Sequence, residues 1–79
     1  MKFYLYKDWE DTPDRFEMPY RTKGQPMKSS NNLRVMKSFL DRISGQFLIE
    51  VRYSDGFRNA LVGNPKEIKA FIHTCFYEV

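Results

Sequence analysis

Between Gln46 and Val62 the chain carries two alternating runs joined by a turn, and this pattern constrains the fold more than any other feature. Phe47, Ile49, Val51 and Tyr53 fall on one side of the first run; Leu48, Glu50 and Arg52 fall on the other. That two-residue period is the mark of a strand with one face on a core. Ser54-Asp55-Gly56 interrupts the run and Phe57 to Val62 resumes it. Asp-Gly between two such runs signals a hairpin, because glycine takes the left-handed backbone that the turn needs.

The segment after the hairpin reads as a helix from Asn64 to about Tyr77. Asn64 stands at the N-cap, Pro65 at the first helical position and Glu67 three residues after the cap, three start signals that agree. Ile68, Phe71, Ile72, Cys75 and Val79 form its apolar stripe. A first helix is predicted over Asn32 to Ser44, with Leu33, Met36, Leu40 and Ile43 on one stripe and Phe39 beside it. Ser30, Asn31 or Asn32 caps its start, and Ser44-Gly45 ends it.

Two more strands precede that helix. Lys2 to Tyr6 alternates, with Phe3 and Leu5 opposite Tyr4 and Tyr6. Arg15 to Arg21 alternates again, with Phe16, Met18 and Tyr20 on one face; Pro19 puts this strand at an edge or makes it irregular. Lys7 to Asp14 reads as a polar stretch ending in a turn, and Thr22 to Asn31 as a loop. The expected fold is a single α+β domain over residues 1–79, ordered β-β-α-β-β-α, with a mostly antiparallel sheet and both helices on one face. The expected core holds Phe3, Leu5, Leu33, Met36, Leu40, Phe47, Ile49, Val51, Leu61, Ile68, Phe71 and Ile72.

Size and composition exclude several function classes. A chain of 79 residues has a thin core and little room for a deep dry pocket. Apolar residues make up 42% and aromatics 16%, a composition that folds. Tyr4, Tyr6, Trp9, Tyr53, Phe76 and Tyr77 exceed what one thin core can bury, which points to docking or a homodimer. Cys75 stands alone, so no internal disulfide is needed. Met1 to Asp8 has no apolar run of the leader type, and no stretch approaches the roughly 18 apolar residues of a membrane span. The expected setting is the cytoplasm, without membrane contact.

Catalytic and cofactor motifs are missing from the sequence. His73 and Cys75 are two residues apart on a helix and point about 200° apart, so they neither chelate one ion nor form a nucleophile–base pair. A calcium loop begun at Asp8 would need Gly where Pro13 stands and Glu where Pro19 stands. Gly24, Gly45, Gly56 and Gly63 are too dispersed for a phosphate loop. The expectation is a non-catalytic chain with no cofactor and no metal.

Charge placement ranks the partners. Arg15 to Arg42 holds seven bases against two acids, so the net charge of +3 is concentrated in the middle third. Arg21, Lys23, Lys28, Arg34, Lys37 and Arg42 lie on the expected loop and helix, and Arg52 and Arg58 on the hairpin. Basic groups interleaved with rings suit a nucleic-acid strand, because phosphates take the charge and bases stack. The leading expectation is a regulator or inhibitor that binds RNA or another nucleic acid through these eight residues. The alternative is a protein-binding inhibitor whose interface is Tyr4, Tyr6, Asp8, Trp9, Glu10, Asp11 and Asp14. Short, aromatic-rich and without catalytic motifs, the chain is similar in style to small accessory proteins of large lytic bacteriophages. That likeness implies a protein that masks a host or defence factor.

Overall fold

The computed structural model, which describes residues 1–11 and 20–77, runs β1 (Lys2–Tyr6), β2 (Asp8–Asp11), β3 (Tyr20–Lys23), β4 (Lys28–Ser30), α1 (Leu33–Leu40), β5 (Phe47–Arg52), β6 (Arg58–Gly63) and α2 (Pro65–Tyr77). Six strands form two antiparallel sheets. The larger has the order β4-β1-β5-β6 and the smaller is the β2–β3 pair. The α+β class and the alternating hairpin are as the sequence predicts.

The hairpin closes through a three-residue loop. Gly56 N–H donates to the Tyr53 carbonyl at 3.1 Å and Tyr53 N–H to the Phe57 carbonyl at 2.8 Å. Gly56 has φ +93°, a backbone state that side chains resist. β5 then pairs with β6 from Arg52 opposite Arg58 to Phe47 opposite Gly63. Its other neighbour is β1, with Lys2 opposite Arg52 and Tyr6 opposite Leu48.

One face of the sheet carries the core. Phe3, Leu5, Phe47, Ile49 and Val51 meet Leu33, Met36 and Leu40 of α1 and Ile68, Ile72 and Cys75 of α2. Both helices therefore lie on that face. Leu61 and Phe71, expected inside, are half-buried at the margin. α2 begins with a reciprocal cap: Glu67 N–H donates to Asn64 Oδ1 at 2.8 Å and Asn64 N–H to Glu67 Oε1 at 3.3 Å.

The structure adds two strands where the sequence shows no apolar alternation, β2 and β4, and carries the described end of the expected Arg15–Arg21 strand on to Lys23. Lys7 to Asp14 is expected as a turn, yet Asp8–Asp11 is β2; Tyr20–Lys23 is β3, and Lys28–Ser30 within the expected loop is β4. β2 and β3 are matched by charge rather than by an apolar face, with Asp8 opposite Lys23 and Glu10 opposite Arg21. β4 is held along β1, Phe3 opposite Ser30 and Leu5 opposite Lys28. α1 stops at Leu40 instead of Ser44, because Arg42 N–H turns back to the Phe39 carbonyl at 3.1 Å and tightens the last turn. The predicted Thr12-Pro13-Asp14 turn, the Arg15–Pro19 part of the predicted strand and Val79 lie outside the described residues. Among the described residues no helix is long and apolar enough to cross a membrane.

Candidate nucleic-acid interface

α1 owes its position to three buried side chains. Asn32 caps it, its Oδ1 accepting from Val35 N–H at 3.2 Å. Leu33, Met36 and Leu40 turn inward. The residues between them are thereby forced outward: Arg34, Val35 and Ser38 are exposed, and Lys37 and Phe39 are half-buried. Arg34 stands between two open clefts. One, of about 570 Å³, is lined by Arg34 and Lys37, by Asn31 and Asn32, and by Phe76 and Tyr77 at the end of α2. The other, of about 340 Å³, is lined by Arg34, Lys28, Arg42, Val35, Ser38 and Phe39. No described carboxylate lines either cleft.

Each cleft couples cations to rings. The Lys28 ammonium lies 5.7 Å from the centre of the Phe39 ring. Lys37 Nζ lies 2.9 Å from His73 Nδ1. His73 in turn packs against Tyr77, ring centres 4.6 Å apart, and Phe76 meets Tyr77 edge-on at 5.0 Å. Tyr77 remains 64% exposed. A cation beside an open ring face is the arrangement that takes a phosphate and an unstacked base together.

The remaining basic residues are distributed differently. Arg21 and Lys23 sit on β3 and share Glu10 of β2, at 3.9 and 3.6 Å. Of the acids expected to form a protein interface, Glu10 is thus paired within its own hairpin, while Asp8 stands opposite Lys23 and Asp11 opposite Tyr20 in the register. Trp9 of β2 is half-buried, and Asp14 lies outside the described residues.

The face of the sheet away from the helices holds a second cationic group. Register places Lys2, Arg52 and Arg58 side by side across β1, β5 and β6. The Arg52 guanidinium carbon lies 4.1 Å from the centre of the Tyr4 ring, and Lys2 Nζ lies 5.3 Å from it. Arg52 Nε donates to Glu50, which is buried. That bond raises the Arg52 pKa above its ordinary value against the opposing effect of burial. Sequence reasoning separated Tyr4 from Arg52, assigning one to a protein surface and the other to nucleic acid; the fold stacks them. Tyr6, assigned with Tyr4, is buried. Lys2 was missed, although the alternation of β1 already put it on the side of Tyr4 and Tyr6.

At the far end of the hairpin, Tyr53 is held above its ordinary pKa by the neighbouring Cys75 sulfur and by burial. Among the described residues no three His, Cys, Asp or Glu side chains group as metal ligands. Comparison with known protein families, curated proteins and solved structures finds no match to the chain.

Proposed function

We propose that the chain is a non-catalytic regulator that binds single-stranded nucleic acid, RNA first of all, through the outer face of α1. The observation that carries this reading is the position of Arg34 between two clefts, each with a further cation and an aromatic ring and neither with a described carboxylate. A strand laid across α1 puts phosphates on Lys37, Arg34, Lys28 and Arg42. Its bases reach Tyr77 and Phe76 on one side and Phe39 on the other. Nothing in this arrangement reads the edges of paired bases, so the reading is of a single strand with little sequence preference. The setting is the cytoplasm, where free RNA is abundant.

The alternative of a protein-binding inhibitor is supported by Phe57, which is 72% exposed at the hairpin tip. Of the acids that reading would use, Glu10 is already paired with Arg21 and Lys23, which weakens it. Fluorescence anisotropy with a short labelled RNA oligomer at low salt separates the two. Saturable binding that Arg34→Ala weakens supports the nucleic-acid reading; no binding at any protein concentration below the millimolar range refutes it.

A further inference from the structure

The face of the sheet away from the helices buries Tyr6, Leu48 and Glu50 but carries at one end a group that the α1 interface does not use. Lys2, Arg52 and Arg58 are register neighbours on three adjacent strands. Strands in a sheet lie about 4.8 Å apart, so these three cations crowd one another. Like charges directly opposed across a ladder are destabilising. Among the described residues Glu50 is the only carboxylate paired with any of the three.

Arg52 itself is held in a fixed plane. Its edge is bonded to Glu50, which is only 6% exposed and therefore cannot swing away. Its guanidinium carbon lies over the Tyr4 ring, 4.1 Å from the ring centre. The side chain as a whole is nonetheless 42% exposed. A guanidinium backed by an aromatic ring and fixed by a buried carboxylate is a preorganised stacking surface, and an unstacked base lies flat on such a plane.

We propose that Arg52 is a stacking platform for one nucleobase of a single strand, with Lys2 and Arg58 holding the phosphates on either side. The class of ligand rests on the nucleic-acid reading above, but the site is separate from α1, on the opposite face of the sheet. Tyr4 and Glu50 position Arg52 and do not touch the ligand. The platform accepts any base, because every base presents a flat face.

The test uses an oligoadenylate strand and an abasic strand with the same sugar-phosphate backbone. Their affinities are measured for the wild type, for Arg52→Lys, and for an Arg34→Ala/Lys37→Ala double variant. Arg52→Lys keeps the charge and the Glu50 pair but loses the plane. The expected result is a loss of about tenfold on oligoadenylate and no loss on the abasic strand. Lys2→Gln and Arg58→Gln should weaken both strands equally. An equal loss on both strands with Arg52→Lys, or no loss on either, overturns the platform. A wild type that binds neither strand overturns the platform and the α1 interface together. A double variant that binds like wild type, beside an Arg52→Lys that loses tenfold on oligoadenylate alone, overturns the α1 interface and leaves the platform standing. Melting of Arg52→Lys at the wild-type midpoint shows that its loss is not one of folding.

Discussion

Lys37 Nζ lies 2.9 Å from Nδ1 of His73, joining the outer edge of α1 to α2 beside the larger cleft. The bond is exposed, so its contribution to stability is small. His73→Ala should cost about 0.5 kcal/mol in chemical denaturation. RNA affinity should fall less than with Lys37→Ala, because the ammonium remains. A larger effect from His73 than from Lys37 would mean that the imidazole, not the lysine, contacts the strand.

The core makes sharper demands. Ile49 is fully buried at the centre of β5, under both helices. Ile49→Ala should cost about 3 to 4 kcal/mol, most of the stability of so small a domain. Phe71 is half-buried at the margin, and Phe71→Ala should cost clearly less than Ile49→Ala. Urea midpoints of the two variants give the order directly.

Gly56 holds the hairpin. A Cβ placed there meets nothing within 4 Å, so the penalty for a side chain is backbone strain at φ +93° alone. Gly56→Ala should destabilise by about 1 to 2 kcal/mol. Thermal unfolding monitored by circular dichroism should show a lower midpoint with an unchanged spectrum.

Tyr53 gives the pH dependence. Its pKa is raised by the Cys75 sulfur and by burial. A raised folded value means that its contribution is fully present below the ordinary pKa of 10.0 and is lost as pH climbs through the folded value. Ultraviolet titration should show a tyrosine ionising above the ordinary value, and Tyr53→Phe should remove that late step.

What the sequence disclosed follows the strength of its apolar pattern. β5, β6 and both helices were legible because burial on one face writes a period into the chain. Asn64 and Glu67 marked the start of α2 to the residue. β2 was not legible, and β3 was expected only through Tyr20 and Arg21, because their pairing sets Asp8 opposite Lys23 and Glu10 opposite Arg21, and charge matching between segments leaves no local period. The same gap affected the site. Arg34, Lys37, Lys28 and Arg42 were nominated as a group and do gather around two clefts on α1. Their aromatic partners Phe76 and Tyr77 come from α2, and only the packing of the helices brings them there. Arg21 and Lys23 were nominated with them but sit on the small sheet beside Glu10.

That division of the basic residues gives the most direct measurement of the central claim. RNA affinity is followed as salt rises from about 50 to 200 mM, for the wild type and for Arg34→Ala, Arg42→Ala and Arg21→Ala. Each lost phosphate contact should lower the slope of log affinity against log salt by about one unit. The α1 interface predicts that loss for Arg34→Ala and Arg42→Ala, and a wild-type slope for Arg21→Ala. Equal slopes for all four proteins, or a loss confined to Arg21→Ala, would contradict it.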